Sequence, residues 1–285
     1  MGEPAGRLGR LAQPASVVRR MFGNLAAWSA ALARKRRAGG APHAWWPPLS
    51  SLAIGTGATI AAVAAAMLAL DSWAIGHHRS LPTWLVLAAG DLTDFGKSGW
   101  FLIPAGLLLI AIGAAAAPAL GRTTYLVLTS LAARIGFVFV AVALPSVAAS
   151  IVKRLIGRAR PLRIEGQDLY FAPLSWRVDF ASLPSGHSTT AFAAAVALGA
   201  LFPRARLALW IYAGVIALTR VILTVHYPSD VIAGAILGGC GALIVRRWFA
   251  ARRLGFALRP DGSVRVLPGP SLQRIKKVAR RIAGQ

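Results

Sequence analysis

Long apolar stretches dominate the hydropathy pattern of this chain. Six of them approach the length of about 20 residues that crosses a hydrocarbon core as a helix. They lie near residues 51–70, 99–118, 124–152, 188–202, 206–225 and 229–247. The fourth stretch is short, and the third would extend beyond the bilayer as a helix of about 30 residues. The pattern predicts an all-α fold, a polytopic membrane bundle with six transmembrane helices.

Composition supports a membrane protein. Charged residues make up 14% of the chain and hydrophobic residues 56%, with a mean hydropathy of +0.60. An ordinary soluble domain carries about 25% charged residues. The single cysteine, Cys240, excludes an intramolecular disulfide and a cysteine-based zinc site.

The basic charge is concentrated at the two ends of the chain. Net charge is +23, and Lys and Arg crowd both the first 48 residues and the tail from Arg246 onward. Six helices return the chain to its starting side, so the positive-inside rule predicts that both termini are cytoplasmic. Attraction to anionic lipid then accounts for most of the charge, and we predict no nucleic-acid partner.

The same pattern divides the chain into three segments. They are a basic cytoplasmic N-terminal segment (1–48), a six-helix membrane domain (49–247) and a basic cytoplasmic tail (248–285). Apolar residues at helical spacing within 16–33 favour an interfacial amphipathic helix, with a disordered basic tail as the alternative. In the tail, Asp261-Gly262 is typical of a hairpin turn, and residues 271–282 could form a basic surface helix.

One loop violates the positive-inside rule. The loop between the third and fourth apolar stretches should face outside, yet it holds six cations: Lys153, Arg154, Arg158, Arg160, Arg163 and Arg177. An anionic substrate is the simplest reason for cations on that side. Arg134, inside the third stretch, is either a functional residue or snorkels toward the membrane surface.

Three short clusters converge on that outer face. The first runs from Lys153 to Pro161, the second is Pro184-Ser185-Gly186-His187, and the third comprises Arg220, His226 and Asp230. Predicted topology alone places all three at one membrane surface. This convergence indicates a site at the outer, periplasmic face.

The spacings within the clusters have physical reasons. Lys153 and Arg160 are seven residues apart and share a face if the helix continues to Pro161. Ser185 and Gly186 lie where a helix begins, and free N–H groups at a helix start bind anions. Asp230 follows His226 by four residues, within reach of one imidazole nitrogen, as a residue that orients a catalytic histidine must be.

These clusters resemble the motifs of the type 2 phosphatidic acid phosphatase superfamily, which also contains vanadium haloperoxidases and glucose-6-phosphatase. The family pattern is Lys-x6-Arg-Pro, then Pro-Ser-Gly-His, then Ser-Arg-x5-His-x3-Asp. This chain has Thr219 where the family usually has Ser, and both residues carry a hydroxyl. The resemblance covers about residues 50–247.

The resemblance implies a role for each matching residue. His226 would be the nucleophile, Asp230 its orienting carboxylate, and His187 the acid and base for the leaving group and the water. The residues that would hold the phosphate oxygens are Lys153, Arg160, Arg220, Ser185 and the N–H of Gly186. Three cations can replace metal ions in phosphoryl transfer, so we expect a metal-independent phosphatase without a cofactor.

The resemblance implies a lipid phosphate or diphosphate phosphatase in a bacterial inner membrane, with its site facing the periplasm. Phosphatidate, phosphatidylglycerol phosphate and undecaprenyl diphosphate are candidate substrates, and lipid A phosphatase or a lipid phosphotransferase is the alternative. A haloperoxidase and a catalytically silent lipid binder are further possibilities. Arg154, Arg158 and Arg163 lie outside the motifs and would contact substrate or lipid head groups. The sequence leaves the substrate and the oligomeric state open.

Overall fold

The computed structural model of the chain describes residues 14–34, 46–117, 120–163 and 169–283. Helices account for most of these residues, as predicted. In chain order the α-helices are α1 (Pro14–Ala33), α2 (Leu49–Ala66), α3 (Ser72–His77), α4 (Thr83–Thr93), α5 (Gly99–Ala115), α6 (Arg122–Ile156), α7 (Gly186–Leu201), α8 (Arg206–Ile222), α9 (Pro228–Ala251) and α10 (Leu272–Ile282). A π-helical turn, Met67–Asp71, joins α2 to α3, and short 3-10 turns follow α3 and α4.

Within the described residues, five helical segments are long and apolar enough to cross a membrane. They are Leu49–Ser80, Thr83–Ala115, Arg122–Ile156, Pro203–Ile222 and Pro228–Ala251. The predicted fourth span corresponds to α7, which has 16 residues and falls short of that length. The chain is therefore a multi-pass membrane protein, while the sixth crossing and the side on which the termini lie remain predictions.

The chain folds into two compact units. The first contains residues up to 45, residues 103–139 and residues from 247 onward. Here α1 caps the end of α5: Asn24 Nδ2 donates to the carbonyls of Gly113 (2.9 Å) and Ala116 (2.7 Å), and Arg20 Nε donates to Ala114. Carbonyls at a helix end have no partner within the helix, so these bonds hold α1 in place.

Helix α1 covers residues 16–33, for which the sequence left an amphipathic helix and a disordered tail as alternatives. These residues are helical, with Val18 and Phe22 exposed. An exposed apolar face suits contact with lipid, so the interfacial location remains the prediction. The first 13 residues and residues 35–45 of the predicted basic segment lie outside the described residues, and the three segment boundaries stay predictions.

The tail also belongs to the first unit. Strands β1 (Phe256–Leu258) and β2 (Val264–Val266) pair antiparallel, which confirms the hairpin and adds a small sheet to the helical fold. Phe256 packs edge-to-face on Phe137 of α6, with ring centroids 4.6 Å apart. Helix α10 buries Val278 against Val127 and Leu128. The basic helix expected for 271–282 is present.

The second unit, residues 46–102 and 140–246, carries the site. Helix α7 is almost entirely buried and rich in alanine, and it packs on α8 through Ala191, Ala195 and Ala213. Helix α9 crosses α7 closely at Gly238, where a Cβ would lie 2.1 Å from the carbonyl oxygen of Thr189. Small residues permit such close helix packing in membranes. It brings the N-terminal ends of α7 and α9 together.

The end of α6 differs from the prediction. The helix ends at Ile156, because Gly157 adopts a left-handed conformation (φ 63°) and closes the last turn with an N–H bond to the Lys153 carbonyl. Glycine takes this C-terminal position without steric penalty. Arg160 consequently lies beyond the helix, so the condition under which Lys153 and Arg160 would share one helical face up to Pro161 is not met.

Candidate active site

The starts of α7 and α9 meet at the centre of the site. Ser185 is the N-cap of α7, and the helix begins at Gly186, as the sequence predicted. Helix α9 begins at Pro228. The backbone N–H of Ser185 donates to the carbonyl of Asp230 at 2.9 Å, which joins the two helix starts. The positive ends of two helix dipoles therefore lie close together, a suitable environment for an anion.

His226 and Asp230 form a buried pair. Imidazole Nδ1 lies 3.6 Å from Asp230 Oδ2, slightly beyond hydrogen-bond distance. The opposite nitrogen, Nε2, lies on the other side of the ring from this carboxylate. Asp230 Oδ2 also accepts from the Ser182 hydroxyl (2.5 Å) and the Tyr227 N–H (3.0 Å). The carboxylate is thus held firmly behind the histidine.

Burial favours the neutral form of His226. The imidazole is almost fully enclosed, and this burial lowers the pKa of His226 below its ordinary value. Contact with Asp230 acts in the opposite direction, while the charges of Arg220 and Arg160 lower the pKa of His226 further. A neutral imidazole has a free lone pair, as a nucleophile must.

Arg220 lies in the last turn of α8 and is buried near His226. Its Nη1 donates to Thr93 Oγ1 at 2.5 Å, and Thr219 Oγ1 lies 3.1 Å from the same hydroxyl. The Arg220 carbonyl accepts from the N–H of His226 at 3.3 Å. Arg220 and His226 are therefore held together through the backbone. The Thr219 hydroxyl therefore helps to hold Thr93, the hydrogen-bond partner of Arg220, in place.

Lys153 and His187 flank the start of α7. Lys153 lies in the last turn of α6, and its Nζ is 3.4 Å from the point where a Cβ on Gly186 would stand. The ring of His187 lies against Gly96, where a Cβ would come within 2.9 Å of Cδ2. Lys153, Arg220 and His226 are all close enough to His187 to act on its charge. The ammonium and both imidazoles thus surround one helix start.

Arg160 reaches the site from the loop. Its N–H donates to the Asp179 carbonyl (2.8 Å) and its Nε to the Val178 carbonyl (3.1 Å). Its charge acts on Lys153 and His226. The structure therefore brings all eight predicted site residues into one region of the second unit, although the roles assigned to them remain predictions.

Sequence reasoning missed four buried residues behind Asp230. They are Asp71, Arg158, Ser182 and Ser229, all with 1% exposure or less. Arg158 was expected at the substrate or the lipid head groups, but it is enclosed and bridges Asp71 and Asp230. A carboxylate at the end of the first apolar stretch was a usable signal for Asp71, because ionisable residues in such stretches are commonly functional.

This arrangement can bind and attack a tetrahedral anion. Three cations and two helix starts can hold its oxygens, a neutral imidazole can attack its central atom, and a second imidazole can exchange a proton with the leaving group. Among the described residues, no group of three or more His, Cys, Asp or Glu side chains is placed to hold a metal ion. Charge stabilisation in this site would come from side chains and N–H groups.

One family profile and several known proteins are similar to this chain. The profile of the PAP2 superfamily matches residues 134–254. A protein of Rhizobium etli named lipid A 1-phosphatase is 38% identical over 72% of this chain and 88% of its own length. A protein of the same name from Rhizobium johnstonii is 37% identical over 82% of this chain and 94% of its own length. A lipid A 4'-phosphatase of Bacteroides thetaiotaomicron is 34% identical over 40% of this chain and 52% of its own length.

Proposed function

Because the chain belongs to the PAP2 superfamily, we propose that it is a membrane lipid phosphatase whose substrate is the 1-phosphate of lipid A. The observation that carries this proposal is the enclosed His226–Asp230 pair, which lies beside three cations and the start of α7. The reaction is hydrolysis of a phosphomonoester through a phosphohistidine intermediate.

His226 is the nucleophile. Its Nδ1 faces Asp230, so the attacking atom is Nε2, which forms a bond to phosphorus as the bond to the lipid oxygen breaks. The imidazole becomes a cation in this step. Asp230 stabilises that cation and holds the ring in the tautomer that leaves Nε2 unprotonated.

His187 is the acid and then the base. In the first step it gives a proton to the leaving oxygen of the lipid. In the second step it takes a proton from the water that attacks the phosphohistidine, which releases inorganic phosphate and restores His226. One imidazole can do both because the proton that it gives up in the first step is the proton that it takes back in the second.

The cations hold the phosphoryl group. Lys153, Arg160 and Arg220 bind its equatorial oxygens, together with Ser185 and the N–H of Gly186. Phosphoryl transfer requires mainly positioning and charge stabilisation, and these groups provide both without a metal or a cofactor. Each such donor contributes roughly 2.7–4 kcal/mol to transition-state stabilisation.

An apolar groove beside the site supports a lipid substrate. A cavity of about 610 Å³ is lined by apolar side chains of α5, α6 and the following loop, among them Leu102, Val147, Ile151 and Trp176. Arg154 also lines it and directly follows Lys153 in the chain. The groove takes an acyl chain while the phosphate occupies the cationic cluster.

The choice of the 1-phosphate rests on the relatives. The two proteins named lipid A 1-phosphatase align over most of their length, whereas the lipid A 4'-phosphatase aligns over about half. The enzyme spans a bacterial inner membrane six times, with α7 as the fourth crossing. Both termini are cytoplasmic and the site faces the periplasm. The basic ends and the cationic loop support this orientation.

The decisive experiment is phosphate release from lipid A that carries both phosphates. The protein is purified in detergent and assayed with a chelator present, and mass spectrometry identifies which phosphate is lost. His226→Ala is assayed beside the wild type. We expect release from position 1 that persists with the chelator and vanishes in the variant.

Other outcomes would overturn parts of the proposal. Release from position 4' would reassign the substrate position. Transfer of the phosphate to a second lipid, without free phosphate, would make the protein a phosphotransferase. Phosphatidate, phosphatidylglycerol phosphate and undecaprenyl diphosphate are assayed in parallel, and faster turnover of any of them would replace lipid A as the substrate. Activity in His226→Ala would overturn the histidine mechanism.

A further inference from the structure

A buried carboxylate from the first membrane segment lies behind the candidate catalytic pair. Asp71 ends the π-helical turn that follows α2, and it is only 1% exposed. Its Oδ1 accepts from the Ser229 N–H (3.0 Å), and its Oδ2 accepts from the Ser229 hydroxyl (2.6 Å). Ser229 belongs to the first turn of α9. Asp71 thus binds unpaired donors at the start of the helix that carries Asp230.

Arg158 connects this carboxylate to Asp230. Its Nη2 donates to Asp71 Oδ2 and its Nη1 to Asp230 Oδ1, both at 2.8 Å, and Nη1 also donates to the Ser229 hydroxyl at 2.7 Å. The guanidinium lies over the Tyr227 ring, 4.0 Å from its centroid. The arginine is fully buried, so water does not replace these bonds.

These contacts determine how Asp230 faces His226. Arg158 occupies Oδ1 of Asp230, while Oδ2 faces Nδ1 of His226 and accepts from Ser182. The carboxylate cannot rotate without breaking bonds at both oxygens. Loss of one partner of a buried ion pair leaves an uncompensated charge, so the geometry depends on both ends of the bridge.

We infer that Asp71 and Arg158 are positioning residues for catalysis: Asp71 orients Arg158, and Arg158 holds the Asp230 carboxylate in the direction of His226. The inference rests on the proposed histidine mechanism. It assigns a role in the reaction to the first membrane segment, which lies far from the three motifs in sequence. Neither residue is among those proposed to hold the phosphate, so we expect substrate binding not to depend on them.

Single substitutions test the geometry. Asp71→Asn keeps the shape of the side chain but removes its charge, and Arg158→Lys keeps the charge but cannot bridge two carboxylates in the same way. We expect each variant to lower kcat on lipid A by about 100-fold, the effect of misplacing a reacting group by about 1 Å. KM should change by less than about threefold, because the phosphate contacts remain.

Thermal stability in detergent separates positioning from folding. In the Asp71→Asn variant Arg158 still pairs with Asp230, so no buried charge is left without a partner and we expect the variant to remain folded. A positioning role predicts that kcat per folded protein falls about 100-fold in this variant. A loss of activity that only follows the loss of folded protein would show a structural role alone and would overturn the inference.

The wild type and His226→Ala serve as references in the same assay. No phosphate release by the wild type would refute the proposed function itself. An active wild type and an inactive His226→Ala, together with full kcat in a folded Asp71→Asn variant, would refute the positioning role alone. Loss through a higher KM at unchanged kcat would also refute it, because that pattern indicates a binding contact.

Discussion

The Nδ1 atom of His226 lies 3.6 Å from Oδ2 of Asp230, and both side chains are buried. This distance slightly exceeds that of a hydrogen bond, and catalytic hydrogen bonds often shorten only when substrate is bound. A carboxylate facing Nδ1 favours the imidazole tautomer that carries its proton on Nδ1.

Replacing Asp230 with Asn should remove most of the activity. The amide keeps the shape of the side chain but can favour the wrong imidazole tautomer, an exchange that costs about 10,000-fold in kcat in a serine protease triad. We expect a loss of that order in phosphate release from lipid A. Asp261→Asn, on the exposed turn of the hairpin, is the matched control and should keep full activity. Comparable activity in the two variants would contradict the role of Asp230.

The titration of His226 should lie at lower pH than that of an exposed histidine. Burial is the main cause that lowers the pKa of His226. The neutral imidazole is the attacking form, so a lowered pKa keeps the nucleophile available as the pH falls through the ordinary histidine value of about 6.5. NMR of labelled histidine rings measures this directly, and loss of one signal in His226→Asn assigns it. A midpoint above about 6.5 would contradict the burial argument.

Filling the apolar groove should impair long-chain substrates selectively. Val147 lines the groove, whereas Leu144, three residues earlier on α6, does not. We expect Val147→Trp to raise KM for lipid A by about tenfold or more, equivalent to about 1.4 kcal/mol of lost binding. Hydrolysis of a short-chain, water-soluble phosphate ester should be unchanged. Leu144→Trp should change neither, and an equal effect of the two variants would rule out the groove as the acyl-chain site.

Two neighbouring glycines should respond in opposite ways to alanine. At Gly238 an added Cβ would come within 2.1 Å of the Thr189 carbonyl oxygen, whereas at Gly239 nothing lies within 4 Å. Gly238→Ala should therefore destabilise the protein by about 1–3 kcal/mol through overpacking. Gly239→Ala should be neutral or slightly stabilising, since alanine favours helix. Thermal unfolding in detergent compares them, and equal Tm values would contradict the close crossing of α7 and α9.

Local signals predicted much of the fold and of the candidate site. The lengths of the apolar stretches predicted where the membrane helices lie. Gly186 and Pro228 lie at helix starts, as the sequence predicted. The spacing of His226 and Asp230 predicted their proximity. Each of these features depends on residues that are near one another in the chain, which is why a single sequence contains the information.

The errors concern partners that are distant in sequence. The end of α6 depends on the close approach of Gly157 to the Ala172 carbonyl, which no local pattern specifies. Arg134 was expected either to be functional or to snorkel, and neither expectation named the partner that it has, since its Nη2 donates to the Leu267 carbonyl at 2.8 Å, 133 residues away. The burial of Arg158 also depends on a distant partner, because a basic loop residue normally remains in water unless it pairs with a buried carboxylate. Asp71 is that carboxylate, and only the tertiary structure brings the two together.

The π-helical turn at Met67–Asp71 changes the direction in which side chains of the first membrane segment point around the helix axis. In a regular α-helix, residues five positions apart differ by about 140° around the axis, so Ala66 and Asp71 would point to different sides. In this segment both are buried. A wider turn of the π type brings residues five apart nearly into line. A regular α-helical turn of the same five residues would rotate one half of the segment by about 100°, the step of one residue, relative to the other. The segment could then present its apolar face to lipid or its carboxylate to Arg158, but not both.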